Sequence, residues 1–156
     1  PLQRGKPISK DKALKVLSDA EKEGLVHCTY NVQDGQTFVC NCCPCSCALM
    51  RGLKEFKAPH LLAKSNFVAV IDEDSCETCG ICKYERCPMD AIIEENDVYS
   101  VQPERCIGCG VCAVTCPTDS ITLTSREAPE QEIPSANILK WQSERAAMRG
   151  IKIKVS

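Results

Sequence analysis

The pattern of apolar and polar positions predicts short elements joined by turns. Near the start of the chain, Leu14, Leu17 and Ala20 recur at the spacing of one helix face. Ser9 precedes this stripe as a helix-capping residue, and Gly24 follows it as a stop signal. The sequence therefore predicts a first helix between Ser9 and Gly24.

The rest of the chain alternates between brief apolar runs and turn-forming residues. Extended segments are predicted at residues 25–30, 37–39 and 67–71, with a turn at 31–35. Helices are predicted at 48–56 and from Ser135 to about Arg149, with connectors at 58–66 and 124–134. We expect Trp141 to anchor the last helix on the body of the protein, and His60 to face solvent.

Composition and charge narrow the class of protein. Of 156 residues, 44% are hydrophobic and 26% are charged, so most of the chain is expected to fold. A net charge of −2 argues against a nucleic-acid partner. No apolar run approaches the ~18 residues of a membrane helix, so we expect no membrane insertion. No signal peptide is visible, but the chain begins at Pro1, and we expect further sequence upstream.

The fourteen cysteines fall into three groups along the chain. Cys28 stands alone, five lie between Cys40 and Cys47, and eight lie between Cys76 and Cys116. Disulfide frameworks tend to spread their cysteines over separate loops, whereas repeated two-residue gaps suit thiolates that converge on one metal centre. We therefore expect reduced thiols and a cytoplasmic protein rather than a secreted disulfide scaffold.

The eight later cysteines belong to an internal repeat. Residues 76–82 read Cys-Glu-Thr-Cys-Gly-Ile-Cys, and residues 106–112 read Cys-Ile-Gly-Cys-Gly-Val-Cys. A Cys-Pro pair follows each copy, at Cys87 and at Cys116. Two copies of one unit predict a module with pseudo-twofold symmetry.

This spacing is typical of cubane iron–sulfur clusters. Three cysteines at two-residue gaps wrap three corners of a cluster, and the fourth cysteine of each run binds the other cluster. Gly80 and Gly110 are small enough to let backbone N–H groups approach the inorganic sulfides. The predicted ligands of cluster one are Cys76, Cys79, Cys82 and Cys116. Those of cluster two are Cys106, Cys109, Cys112 and Cys87.

Residues 76–92 and 106–121 resemble bacterial-type dicluster ferredoxins, and the resemblance extends over roughly 67–124. It implies two 4Fe–4S clusters and an α+β fold, in which a ferredoxin-like dicluster module has two pseudo-symmetric halves with small antiparallel sheets. A small Cys-rich N-terminal α/β segment and a C-terminal helix would complete the chain. Zinc sites usually separate their cysteine pairs by a longer finger. The family's central cysteines are both present, as Cys79 and Cys109, which argues against a 3Fe–4S site.

The amino-terminal cysteines are a candidate third metal site. This set comprises Cys40, Cys42, Cys43, Cys45 and Cys47. One interpretation is a third iron–sulfur cluster, with Cys28 or His27 as an extra ligand. Structural zinc, a redox-active dithiol and a cysteine-rich loop without a bound species are the alternatives. Spacing does not decide which thiols are ligands. Without a metal role, Cys28 is expected to be a small buried hydrophobe and His27 a surface or packing residue.

Three further segments resemble a wider group of iron–sulfur proteins from anaerobic bacteria. They are residues 23–27, 40–43 and 51–56. In that group a Cys-rich CNCC segment precedes a dicluster ferredoxin domain, and further sequence often lies upstream. Cysteine often occupies the position of Ser46, so this resemblance implies that the position is not an essential ligand.

We expect structural roles for four side chains beside the two motifs. Tyr84 and Tyr99 are expected to shield a cluster from water or to pack in the core. Asp90 and Asp119, which follow the Cys-Pro pairs, are expected to cap turns rather than to act as acids.

These features predict an electron-transfer protein with no catalytic residues of its own. The sequence contains no phosphate loop, no dinucleotide fingerprint and no supported Ser-His-Asp pattern. We expect a carrier, or an electron-transfer module of a larger anaerobic oxidoreductase, that works with a redox partner protein. The alternative is a redox sensor or maturation protein with zinc at the N-terminal segment. The expected divisions of the chain are 1–66, 67–124 and 125–156.

Overall fold

A computed structural model describes residues 5–58 and 61–151. It contains four α-helices and six β-strands in these ranges. The helices are α1 (Lys10–Lys22), α2 (Ala48–Glu55), α3 (Val111–Val114) and α4 (Ile138–Met148). The strands are β1 (Val26–Cys28), β2 (Cys40–Cys42), β3 (Phe67–Ile71), β4 (Ile92–Glu95), β5 (Val98–Val101) and β6 (Ile121–Ser125). A π-helical turn spans Cys82–Arg86, and a 3₁₀ turn spans Ala128–Glu130. His60 lies outside the described residues.

Helix α1 begins and ends as its capping residues predict. The Ser9 hydroxyl accepts a hydrogen bond of 3.2 Å from the backbone N–H of Lys12, which satisfies one of the free donors of the first turn. Gly24 follows the helix at φ +79°, a left-handed conformation that glycine adopts without steric strain. Ala20 is the buried residue of this helix, so the helix face that carries Ala20 packs against the rest of the chain.

Three small antiparallel sheets of two strands each organise the described residues. Strand β3 pairs with β6 from Phe67 opposite Ser125 to Ile71 opposite Ile121, so the two ends of the repeat meet. Strands β4 and β5 form a hairpin between the two copies. The small antiparallel sheets expected from the resemblance are therefore present, and the strand predicted at 67–71 is confirmed.

The predicted strand at 37–39 is wrong. Strand β2 begins only at Cys40, where the chain can pair with β1. The preceding residues form an irregular loop, in which the Phe38 carbonyl accepts a hydrogen bond of 2.8 Å from the Thr29 hydroxyl. The Phe38 ring also meets the Tyr30 ring edge-on, at 4.6 Å between centroids. These local contacts replace a strand ladder.

Two expectations about the last helix also need correction. Asn137, not Ser135, caps α4, and its side chain accepts a hydrogen bond of 3.0 Å from the N–H of Lys140. Ser135 instead pairs its backbone with Val32 and donates its hydroxyl to Glu144. Trp141 is 36% exposed, so it is not a buried anchor; Ala146 is the buried residue of the helix.

Two groups of buried side chains form the interior. The amino-terminal core consists of Val26, Met50, Met89, Ala91 and Val111. The sheet core consists of Ala69, Ile92, Tyr99, Cys112 and Ile121. Because the amino-terminal core contains residues of β1, α2 and the region of the repeat, these parts of the chain share one apolar interior. None of the helices in the described ranges combines the length and apolar character that a bilayer crossing requires.

Candidate iron–sulfur centres

The first candidate centre is a cavity beside the sheet core. We call it cavity one. Three of its cysteines come from the first motif, and the fourth arrives from the end of the second. They are Cys76, Cys79, Cys82 and Cys116. Tyr99 and Ile121 close the cavity on its apolar side. The structure thus brings together the four residues that the sequence predicts as ligands of cluster one.

The second candidate centre, cavity two, has the complementary composition. Its cysteines are Cys106, Cys109 and Cys112 of the second motif together with Cys87 of the first. Apolar side chains complete the wall, among them Met89 and Ile92. The two cavities are neighbours, because Cys82 of cavity one is close enough to Cys112 of cavity two to contribute to its raised pKa.

Backbone N–H groups point at several of these sulfur atoms. The N–H of Ala91 lies 3.2 Å from the Sγ of Cys87, and the N–H of Gly108 lies 3.4 Å from the Sγ of Cys106. Burial raises the pKa of Cys116, but the Thr118 side chain and the N–H groups that follow this cysteine lower it overall. Such N–H···S contacts stabilise thiolates and help set the potential of a bound cluster.

Burial makes two thiols of cavity two, those of Cys109 and Cys112, hard to ionise by themselves. Burial, together with the neighbouring cysteines, raises the pKa of Cys109 to about 11 and that of Cys112 to about 12. Iron–sulfur clusters bind cysteine as thiolate. A cationic centre would therefore have to supply the charge that makes these side chains ligands at neutral pH.

Glycine permits the turn inside each motif. Gly80 has φ +75° and Gly110 has φ +79°, so both lie in the left-handed region that side chains disfavour. A Cβ at position 80 would lie 3.0 Å from the Tyr84 ring and 3.1 Å from the Tyr99 hydroxyl. Tyr99 is buried in the sheet core and also lines cavity one, whereas Tyr84 is 69% exposed.

Asp90 and Asp119 occupy turns, as expected. Both adopt a left-handed backbone, with φ +50° and +52°. The Asp90 carboxylate also forms an ion pair of 2.9 Å with Lys54 of α2, which connects the amino-terminal segment to the turn after Cys87.

The amino-terminal cysteines divide into two groups. Cys43 and Cys45 are joined by a disulfide, so two of the five predicted metal ligands are paired with each other in this structure. The turn at Pro44 brings these two sulfurs together. Cys40, Cys42 and Cys47 are free thiols, and Cys28 joins them. Burial, together with the nearby thiols of Cys47, Cys28 and Cys40, raises the pKa of Cys42 to about 12, so the four cysteines are neighbours.

His27 is directed away from this group. Its Nδ1 lies 2.8 Å from the Asn41 side-chain oxygen, and its Nε2 lies 3.4 Å from a Glu21 oxygen. The packing role expected for His27 therefore describes its contacts better than the ligand role does.

Sequence reasoning missed one buried cation beside cavity two. The Arg126 side chain is 3% exposed, and its guanidinium donates to the carbonyls of Ser65, Pro103 and Cys106. An arginine at the start of a polar linker gives no sequence signal for such a role. Its charge lies next to a cysteine of the second motif.

Four thiols around each of two cavities, with N–H groups at the sulfurs, match the donor set of an iron–sulfur protein. Residues 99–122 match the family model for the 4Fe–4S binding domain. A ferredoxin of Hydrogenibacillus schlegelii named Ferredoxin 7Fe is 40% identical over 52 residues, which cover 33% of this chain and 67% of that protein. The chain belongs to the ferredoxin family and contains a 4Fe–4S electron-transfer domain.

The chain is also similar to two further proteins. An uncharacterized ferredoxin of Methanocaldococcus jannaschii is 47% identical over 53 residues, which cover 34% of each chain. Hydrogenase-4 component A of Escherichia coli is 30% identical over 86 residues, which cover 53% of this chain and 41% of that protein. The chain thus spans about a third to a half of the length of several of the relatives it matches.

Proposed function

We propose that the protein transfers electrons through two 4Fe–4S clusters. Cys76, Cys79, Cys82 and Cys116 would hold cluster one. Cys106, Cys109, Cys112 and Cys87 would hold cluster two. The observation that carries the proposal is the crossed composition of the two cavities, each lined by three cysteines of one motif and one of the other. Adjacent cavities favour rapid exchange of an electron between the two clusters.

The proposal specifies two complete cubanes. A relative is named as a seven-iron ferredoxin. In this chain both motifs retain their central cysteine, Cys79 and Cys109, and both of these line their cavities. Two cubanes hold about eight iron atoms and accept about one electron each.

The protein would act as a carrier or as the electron-transfer module of a larger oxidoreductase. Similarity to a hydrogenase component over 53% of this chain supports the second arrangement. In either case a redox partner protein supplies or removes the electrons. The N-terminal cysteines would bind a third iron–sulfur cluster, which would lengthen the electron path.

Anaerobic reductive titration tests the two-cluster proposal. The protein is purified without oxygen, its iron and sulfide are counted, and dithionite is added while electron paramagnetic resonance (EPR) spectra are recorded. We expect at least two cubane signals that appear on reduction and vanish on reoxidation. Fewer than about eight iron atoms, or clusters that cannot be reversibly reduced, would refute the proposal.

A second experiment addresses the larger complex. The natural full-length protein is isolated under anaerobic conditions from its own cells, with a tag at its carboxyl end. We expect a catalytic subunit of an oxidoreductase to co-purify in a fixed ratio. Isolation of the protein alone, with clusters that exchange electrons freely with small acceptors, would favour the carrier.

A further inference from the structure

Three cysteines of the N-terminal segment lie on one face of a two-stranded sheet. In the β1–β2 ladder, Cys28 is opposite Cys40 and Val26 is opposite Cys42. Side chains alternate between the faces of a strand, and directly opposite residues share a face. Cys28, Cys40 and Cys42 therefore point to the same side.

The other face of the same ladder confirms this orientation. His27 is opposite Asn41, and their side chains are within hydrogen-bond distance, at 2.8 Å. The pair leaves the cysteine face to thiols and to Val26, which belongs to the amino-terminal core. Nitrogen and oxygen donors of the ladder are thus separated from its sulfur donors.

A fourth thiol reaches this face from the turn that follows. The N–H groups of Ser46 and Cys47 both bond to the Cys43 carbonyl, at 3.3 and 2.9 Å, so the chain folds back on itself. Cys47 then precedes helix α2 and packs against the same core as Cys28 and Cys42.

We propose that Cys28, Cys40, Cys42 and Cys47 are the ligands of the third iron–sulfur cluster, and that Cys43 and Cys45 are not. The inference rests on the proposed electron-transfer function, and it replaces the five-cysteine set predicted from spacing. Four cysteine thiolates are the usual ligand set of a cubane. The disulfide between Cys43 and Cys45 leaves those two sulfurs without a thiolate to offer.

The spacing of the thiols favours a cluster over a single zinc ion. Within residues 5–58 and 61–151, no three His, Cys, Asp or Glu side chains converge closely enough to hold one metal ion. The same is true of Cys106, Cys109, Cys112 and Cys116, which lie within the residues that match the 4Fe–4S binding domain. A cluster is larger than an ion, so its ligands stand farther apart.

The position of the third centre assigns an order to the electron path. Cys28, Cys42 and Cys47 pack against the amino-terminal core, and so do Cys87, Cys106 and Cys109 of cavity two. Of the cysteines around cavity one, none is among the described residues that pack on this core. The third cluster thus adjoins cluster two, and cluster two separates it from cluster one. Electrons would therefore pass between cluster one and the third cluster by way of cluster two, one electron at each step.

Matched serine variants of the full chain test the ligand set. Cys40→Ser alters an exposed proposed ligand, Cys28→Ser a half-buried one, and Cys45→Ser a cysteine outside the set. For the wild type and Cys45→Ser, we expect about twelve iron atoms per chain. For Cys40→Ser and Cys28→Ser, we expect about eight, with the EPR signals of clusters one and two retained.

The outcomes separate this inference from the proposed function. Full iron content in Cys40→Ser, or loss of the third cluster in Cys45→Ser, would overturn the ligand set. Eight iron atoms and one zinc in the wild type would overturn the third cluster and leave the two-cluster proposal intact. Loss of reversible reduction in clusters one and two of the wild type would refute the proposed function itself.

EPR also tests the order of the centres. In the fully reduced wild type, the signal of cluster two should be broadened by two neighbouring spins, and in Cys40→Ser by only one. The signal of cluster one should be the same in both proteins. An unchanged cluster two signal, or a change confined to cluster one, would contradict the arrangement.

Discussion

The guanidinium of Arg126 donates a hydrogen bond of 2.8 Å to the main-chain carbonyl of Cys106. This places a buried guanidinium, which also pairs with the Glu130 carboxylate at 3.5 Å, beside a proposed ligand of cluster two. Nearby charge is one of the factors that set the potential of a cluster. A cation stabilises the reduced form, because reduction adds negative charge to the centre.

Replacing Arg126 should lower the potential of cluster two and leave that of cluster one almost unchanged. We expect Arg126→Met to show this shift in an EPR-monitored potentiometric titration, and Arg126→Lys to retain most of the wild-type potential. Arg126→Met should also reduce the free energy of unfolding by about 3 kcal/mol, because three partly buried carbonyls lose their donor.

Arg51→Met is the control for this prediction. Arg51 is 51% exposed and pairs with Glu55 on the surface of α2, so its removal should change the free energy of unfolding little. Equal potentials for cluster two in Arg126→Met and wild type would show that the buried charge does not act on the cluster.

Each proposed cluster takes one ligand from the other motif. Replacing that ligand should therefore remove the cluster that is more distant in sequence. Cys87→Ala should remove cluster two, whose other ligands are Cys106, Cys109 and Cys112. Cys116→Ala should remove cluster one, whose other ligands belong to the first motif. Each variant should lose about four iron atoms, and the two EPR spectra of the reduced proteins should be complementary. If Cys87→Ala instead lost the cluster of Cys76, Cys79 and Cys82, the ligand assignment would be wrong.

The elements that the sequence predicted well are those fixed by nearby residues. Ser9 and Gly24 cap α1 through contacts within one turn, and the apolar run at 67–71 forms β3 as expected. The repeat also identified the eight cysteines that line the two cavities, because the spacing of ligands around a cluster is a local constraint.

The errors occur where contacts between distant residues decide the structure. The strand predicted at 37–39 depended on pairing register, and the ladder begins only where Cys40 meets Cys28. That same register places Cys28 among the thiols of the N-terminal segment, where the sequence could offer only Cys28 or His27 as an extra ligand. The position of Arg126 also depends on contacts between distant residues, since its three carbonyl partners lie 20 or more residues away in the sequence.

Removal of iron should unfold the part of the chain that contains the repeat. Met50 and Val111 are the largest side chains that are almost fully buried in the described ranges, so the apolar core is small. Cys87 and Cys106 pack against both cores, which gives the metal centres a structural role. Without metal, the free thiols of cavity two would fill little of the space that a cluster occupies.

Hydrogen–deuterium exchange before and after anaerobic chelation measures this effect. We expect the amides of the β3–β6 ladder to lose most of their protection in the iron-free protein. Far-ultraviolet circular dichroism should lose signal in parallel, and both should recover when iron and sulfide are restored. An iron-free protein with the exchange pattern of the iron-loaded form would show that the fold does not depend on the clusters.

The turn at Gly80 offers a substitution that separates backbone strain from packing. Gly80→Ala adds a Cβ near the Tyr99 hydroxyl, which is held in the buried sheet core. Gly35 has a similar φ of +81°, but a Cβ there would meet nothing within 4 Å. Both variants should lose about 1–2 kcal/mol of unfolding free energy from the left-handed backbone alone.

Gly80→Ala should lose roughly 1 kcal/mol more than Gly35→Ala, because Tyr99 must shift to make room. It should also lower the occupancy of cluster one, since Gly80 and Tyr99 both line cavity one, while cluster two keeps its iron. Denaturant unfolding under anaerobic conditions and quantitative EPR measure the two effects. Equal destabilisation in the two variants, with full occupancy of cluster one, would mean that Gly80 is required for its backbone conformation and that Tyr99 does not support the site.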